Sequence, residues 1–448
     1  MTGLQDITAE IGKYIQNYLP IRLLRVSDMT LVGRTLLQGE VNKALGEHQR
    51  SCLSEECNYL EDLKEELRYS ILSHRWGDGE VVFHHFQTLH QQVVGMPNPP
   101  GFKDKLLMLR NYVPSASEAA SESSLVKLAH FLKVSAEKQC KFAWMDTICI
   151  NKESSTELDE SIRSMFAWYR DSHICIVYLS ETNSRSDLKQ DPWFGRGWTL
   201  QELLAPRRFA FYSKNWKQIT RSDCEKHSGE QARRKGIEER LWADIASITQ
   251  IKVEDIHNFK PGMYDIRKRM AWAARRQTMR IEDMAYCLLG IFNVNLSIAY
   301  GEKDGAFYRL QLEILQNCPD LSLFDWEGQA SGHNSMFASS PACFRSNRAV
   351  HIITWPHLDT DTAWTYTNLG VRIQEVLYKL NQGDVERLSL HPDAVAFAFP
   401  GDPQDHDDPP MLILGEGDRP GQYVRLGLIE GRHIHSSHEE LARYFFVK

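Results

Sequence analysis

At 448 residues the chain is too long for one ordinary hydrophobic core, so two or three domains are expected. With 42% hydrophobic, 25% charged and 10% aromatic residues, it falls outside the disordered and fibrous classes. A formal net charge of −7 argues against a general coating of nucleic acid.

Residues 1–20 carry Ile7, Ile11, Ile15 and Leu19 at helical spacing and stop at Pro20, which predicts a short N-terminal amphipathic helix. This opening carries Asp6, Glu10 and Lys13 and lacks an apolar signal core, so a cytoplasmic protein is expected. Ile21 to Val26 is a first strand, and residues 30–68 are polar and helix-prone. Tyr69 to Ser73 is a short apolar strand, followed by the loop His74-Arg75-Trp76-Gly77-Asp78-Gly79. Residues 95–124, with Pro97, Pro99 and Pro100 and then a Ser/Ala/Glu run, are most simply a surface insertion. Leu125, Leu128, Ala129, Leu132, Ala136 and Cys140 trace one helix face, Phe142 to Met145 is a buried strand, and Leu158 to Tyr169 shows the next helical period. Ile174 to Leu179 is another strand, a short helix holds Trp198 and Glu202, and Arg208 to Tyr212 is a further strand. Short apolar strands alternating with helices predict a doubly wound, mostly parallel α/β sheet over residues 21–216. Residues 217–320 turn helical, and 321–448 show short alternating runs between Gly, Pro and Asp turns, which predicts a small β-rich C-terminal domain.

The nine cysteines are scattered, odd in number and free of zinc-like spacing, so they read as reduced buried thiols. His84-His85 and His433, His435 and His438 lack companions that would complete a metal site and read as surface histidines. The basic run Arg267 to Arg280 is followed at once by Glu282 and Asp283, which favours a helix surface with internal ion pairs over a nucleic-acid patch. The most apolar stretch, Ala285 to Tyr300, is too short to span a bilayer, so no membrane partner is expected.

Three polar clusters each follow a strand: Ser73 to Asp78, Asp146 to Lys152, and Ser180 to Trp198 leading into Glu202. Ligands of open parallel sheets bind outside the carboxyl ends of the strands, so these clusters mark a candidate site. On a helix, Trp198 and Glu202 share one face, while Leu200, Leu203 and Leu204 point into a core. Asp146 can equally cap the helix that follows it. Arg75 or Arg196 can pair with Asp78 or Asp146, or hold phosphates. Ser73 and His74 are neighbours on a strand and face opposite ways, which disfavours a nucleophile–base pair. No Walker loop and no Gly-x-Gly-x-x-Gly turn is present.

The blocks Tyr69-Ser-Ile-Leu-Ser-His-Arg-Trp-Gly77, Trp144-Met-Asp-Thr-Ile-Cys-Ile-Asn-Lys152 and Arg196-Gly-Trp-Thr-Leu-Gln-Glu-Leu-Leu-Ala-Pro206 resemble, in order, the three signature blocks of the fungal heterokaryon incompatibility (HET) domain. Ala285 to Asn295 with Ala299-Tyr-Gly-Glu302, and then Phe324-Asp-Trp326 and Ser339-Ser-Pro341, resemble the regions that follow that domain, so the likeness spans roughly residues 21–345. The resemblance implies non-self recognition leading to programmed cell death. It also implies kinship with TIR domains, some of which cleave NAD⁺ with a glutamate four positions after a tryptophan, as Glu202 follows Trp198. On that likeness NAD⁺ is a substrate rather than a bound cofactor, and Glu202 is the catalytic carboxylate. Ser73, His74, Arg75, Trp76, Gly77, Asp78, Asp146, Arg196 and Trp198 are the substrate-binding candidates. A homo-oligomer and an upstream sensor protein are the further partners it implies. The alternative is a non-catalytic self-assembly and signalling domain.

Overall fold

The computed structural model describes residues 2–51, 59–94, 122–220, 222–226, 238–318, 320–345, 365–373, 378–379, 382–387, 389, 394–398, 410–416, 422–430 and 445–447. By contacts the chain divides into two units, Met1–Phe259 and Lys260–Lys448, so the division falls inside the helical stretch expected over 217–320. The expected insertion at 95–124 falls almost wholly outside the described residues, as do the strand expected from His351 and the histidines at 433–438.

The first unit holds a seven-stranded sheet. In chain order its strands are β1 (Arg22–Arg25), β2 (Leu31–Gly33), β3 (Tyr69–His74), β4 (Phe142–Trp144), β5 (Ile174–Tyr178), β6 (Arg208–Tyr212) and β7 (Cys224–Glu225). Their order across the sheet is β2-β1-β4-β3-β5-β6-β7. The central β4-β3-β5-β6 are mutually parallel, while β1, β2 and β7 are antiparallel additions at the flanks. β3 is buried at every position and β5 at all but its last. Continuous apolar runs such as Ile-Cys-Ile-Val suit parallel strands covered on both faces. β2 escaped the sequence reading because three residues carry no usable alternation.

The parallel core has its strands in the order second, first, third, fourth, the flavodoxin-like doubly wound order. The chain leaves β3 toward β4 on one side and then crosses to β5 on the other. The switch point of the sheet therefore lies at the carboxyl ends of β3 and β5, where Ser73 pairs in register with Val177 and His74 with Tyr178.

The helices that cover this sheet have legible causes. Helix Thr2–Tyr18 buries Ile11 and Ile15, with Leu19 just beyond its end. Helix Ser155–Asp171 is capped by the Ser154 hydroxyl, which accepts from the Glu157 N–H, with Glu157 in its first turn and Arg170 in its last. Its buried face carries Ile162, Met165, Phe166 and Tyr169. Helix Glu238–Thr249 belongs to this unit because the Trp242 ring meets Phe209 and Phe211 of β6 edge-on at 5.5 and 6.2 Å.

In the second unit, helices Ile266–Ala273, Asp283–Tyr286, Leu289–Phe292 and Gly305–Asn317 precede a seven-stranded sheet. That sheet contains β8 (Thr365–Thr367), β9 (Gly370–Ile373), β10 (Tyr378–Lys379), β11 (Val395–Ala398), β12 (Pro410–Glu416), β13 (Gln422–Glu430) and β14 (Phe445–Val447), in the order β10-β11-β12-β13-β14-β9-β8. All its pairings are antiparallel except β13 with β14. Arg425 of β13 donates to the carbonyls of Phe324 and Trp326 at 2.8 and 2.6 Å and stacks over the Trp326 ring.

The basic run departs from expectation. Arg267, Arg269 and Arg276 are buried rather than spread on a helix surface. Arg269 donates to the carbonyls of Lys260, Gly262 and Ile291, and Arg267 to Asp325. A guanidinium has five N–H donors in a fixed fork, which suits it to gathering loop carbonyls.

Among the described residues the cysteines are free thiols, all buried but Cys318. No described helix is long and apolar enough to cross a membrane.

Candidate functional site

The site is assembled at the carboxyl edge of the parallel core. Three elements supply it: the end of β3 with its loop, the Asp146–Cys149 turn after β4, and the segment from Asp191 to Leu204 after β5. Asp191 fixes this last segment. Its carboxylate accepts from the backbone of Glu181 and Trp193 and from the Thr182 hydroxyl, and Pro192 opens the turn Pro192–Gly195. Thr199 opens helix Thr199–Leu204, and its hydroxyl shares its one proton between the carbonyls of Trp193 and Arg196, 2.6 and 2.8 Å away.

Glu202 sits in that helix at 6% exposure. Its Oε2 accepts from the Ser73 hydroxyl at 2.5 Å, and the Trp193 indole N–H donates to the same hydroxyl at 2.8 Å. Burial pushes the Glu202 carboxyl up, and the Ser73 hydrogen bond and the Arg196 charge offset only part of this. Asp146 adds a further upward push, and the carboxyl comes to rest at about 7.

His74, beside Ser73 on the strand, faces the other way as alternation requires. Its ring nitrogens lie 3.9 Å from Glu80 and 4.0 Å from Asp146. Burial, reinforced by Lys127, Arg196 and Lys152, holds its imidazole neutral, well below the usual histidine range. Glu80 pairs with Lys127, accepts from the Gly77 N–H at 2.9 Å and accepts from the Ser124 hydroxyl. Trp76 is half-buried and donates its indole N–H to Asp146 Oδ2 at 2.8 Å. Lys152 Nζ stands 3.3 Å from the Trp76 ring centroid, and the Arg196 guanidinium 5.2 Å from it.

These positions revise several expectations. Ser73 and His74 were expected to touch substrate, but both are buried, because β3 is the central strand and is covered on both faces. Arg75, Gly77 and Asp78 lie on the exposed part of the loop. Asp146 does not cap its helix. Met145 occupies the cap position without a side-chain bond, and Asp146, one residue later, serves Trp76. The indole wired to Glu202 is that of Trp193 through Ser73, while Trp198 is half-buried at the cap of the helix. Leu200, Leu203 and Leu204 are buried as the helical spacing predicts.

Glu80 and Lys127 were absent from the sequence-based candidates, and Trp193 and Lys152 lay inside the polar clusters without being singled out. Membership of those clusters was the signal for Trp193 and Lys152, whereas nothing around Glu80 or Lys127 announces their pairing across the fold.

A family model described as heterokaryon incompatibility protein (HET) matches residues 69–190. A second, described as a domain of unknown function (DUF8212), matches 305–354. The vegetative incompatibility protein HET-E-1 of Podospora anserina is 40% identical over 186 residues, which is 39% of this chain. The chain spans 12% of that relative's length. No solved structure matches the chain. The matched family segment ends before Trp193 and Glu202, but it contains β3, β4, β5 and the Ser73, His74, Trp76 and Asp146 side of the site. Residues 69–190 of this chain are thus similar to the heterokaryon incompatibility (HET) domain.

Proposed function

We propose that this protein acts in heterokaryon incompatibility as a programmed-cell-death effector, and that it does so by hydrolysing NAD⁺ to nicotinamide and ADP-ribose. The HET-domain match and the 40% identity to a vegetative incompatibility protein support the first part. The carrying observation for the second is the Glu202 carboxylate, which sits at the switch-point end of the parallel strands with Ser73 2.5 Å away and Asp146 and Arg196 acting on its charge. The TIR-like spacing from Trp198 to Glu202 agrees with it.

The chemistry needs little machinery. Nicotinamide leaves NAD⁺ as a neutral base from a cationic ring, so no general acid has to protonate it. As the glycosidic bond breaks, positive charge develops on the ribose, and one ionised carboxylate stabilises it, as one member of the carboxyl pair does in glycosidases. Water then takes the anomeric carbon and releases a proton. Arg196 suits the pyrophosphate by charge-assisted hydrogen bonds.

The test is nicotinamide release by the purified chain. Turnover that Glu202→Gln lowers by about 10²–10³-fold supports the reading. Unchanged turnover in that variant removes Glu202 from the chemistry.

One observation favours a second reading, a non-catalytic self-assembly domain: Glu202 is only 6% exposed and already bonded inside the protein. On that reading no NAD⁺ is consumed at any protein concentration, and surface substitutions rather than Glu202→Gln abolish cell killing.

A further inference from the structure

The donors around Ser73 fix the direction of its hydroxyl proton. An indole nitrogen only donates, so Ser73 Oγ must accept from Trp193 at 2.8 Å. A hydroxyl carries a single proton, which is thereby left for Glu202 Oε2 at 2.5 Å. Ser73 and Trp193 are both 0% exposed, so bulk water does not compete for this chain of bonds. The residues involved stand 120 and 129 positions apart in sequence, and the Asp191-anchored turn holds Trp193 in place. Such a bond chain tunes an acid from behind, as outer-shell partners tune metal ligands.

We propose that Ser73 is a positioning residue for Glu202: its hydroxyl, aimed by Trp193, holds the ionised carboxylate in one orientation and favours it over the neutral acid. The catalytic consequence rests on the NAD⁺-hydrolysis reading, but the coupling itself does not. The other groups facing Glu202 come from each element packed against it. Arg196 and Tyr169 favour its ionised form, and Asp146 opposes it. The Cys175 thiol on β5 keeps its proton through burial and the nearby Glu202 charge. Among the groups that favour ionisation, the Ser73 hydrogen bond is the largest.

The experiment compares melting temperatures of the full chain and its Ser73→Ala, Trp193→Phe, Glu202→Gln and Ser73→Ala/Glu202→Gln variants at about pH 5.5 and about pH 8.5. Removing Ser73 orphans the Trp193 N–H at both pH values, a loss that does not depend on Glu202. The proposal adds an excess loss of roughly 2–4 °C at the higher pH, where Glu202 is ionised. That excess vanishes in the Glu202→Gln background. Trp193→Phe keeps an aromatic ring, leaves a void whose cost does not depend on pH, and frees the hydroxyl to rotate, so it gives a smaller excess of the same sign. In NAD⁺ cleavage, Ser73→Ala moves the rising limb of the pH profile up by about one unit. An equal loss at both pH values in both backgrounds overturns the proposal. If the parent chain turns over no NAD⁺, the enzymatic reading fails by itself, and the melting comparison still decides the role of Ser73.

Discussion

Glu202 in the first unit and Glu282 in the second are both little exposed, but far more protein encloses the Glu202 carboxyl, and their proton affinities move in opposite directions. At Glu282 burial pushes the carboxyl up, but backbone N–H groups outweigh it. Gly301 and Lys303 donate to Glu282 Oε1 at 2.7 and 3.2 Å, and the carboxyl lies below its ordinary value. At Glu202 burial pushes up again, the Ser73 and Tyr169 hydroxyls and the Arg196 guanidinium answer it, and the carboxyl rests at about 7. Backbone donors are delivered by the fold itself, so an acid surrounded by them is a structural staple. A buried acid served by side chains is poised to titrate near neutrality, a pattern that gathers at functional sites.

The largest test of this contrast is catalytic. Glu202→Gln removes about 10²–10³-fold of NAD⁺ turnover, or about 3–4 kcal/mol of transition-state stabilisation, while Glu282→Gln leaves turnover per folded molecule unchanged. Because the carboxylate form is the useful one, parent turnover climbs with pH through about 7. A profile flat from pH 6 to 8 removes Glu202 as the titrating group.

Stability sharpens the contrast by sign. The folded-state value of Glu202 is raised, so the native state binds the extra proton between its ordinary value of 4.5 and about 7. Its contribution to stability is complete below that window and is lost as pH rises through it, to a total of roughly 3 kcal/mol. Glu202→Gln therefore melts above the parent at pH 8 and close to it at pH 5. For Glu282 the folded-state value is depressed, so its contribution is present above the ordinary value and lost on acidification. Glu282→Gln costs about 1.5–3 kcal/mol at neutral pH, because a charge-assisted acceptor of two N–H groups is replaced by a neutral one. Melting curves that move the same way for both variants at pH 8 would erase the distinction.

What could be read from the sequence divides along physical lines. The strands β3, β4, β5 and β6 were legible because each is an apolar run bounded by polar turns, and helix Ser155–Asp171 because its buried residues recur at helical spacing. β2 and the two-residue β7 were not, since they owe their existence to pairing with β1 and β6 rather than to their own pattern. The polar clusters after β3, β4 and β5 were correctly brought to one edge, because parallel topology dictates it. The wiring among them was not legible. Ser73 looked like a ligand contact until the fold set Trp193 behind it and Glu202 in front. Burial of the Arg267 and Arg269 guanidiniums was also hidden, because loop carbonyls that accept from them carry no sequence signature.

The smallest expected effect lies at Trp76, where a cation at the sheet edge is balanced by a ring face. Lys152 Nζ stands 3.3 Å from that ring centroid, and Asp146 anchors the indole N–H on the edge of the ring system. A cation over an aromatic face is worth about 0.5–1 kcal/mol where solvent reaches it and about 2 when fully desolvated. Trp76 is half-buried but the Lys152 Nζ is itself buried, so an intermediate worth of about 1–2 kcal/mol applies. Trp76→Leu removes both the ring and its bond to Asp146, and Lys152→Gln removes only the charge. A double-mutant cycle of the two therefore subtracts the Asp146 bond and returns a coupling of about 1–2 kcal/mol. A coupling near zero means that Lys152 gains nothing from the ring, and that the Trp76 face can be taken over by a stacking ligand at no electrostatic cost.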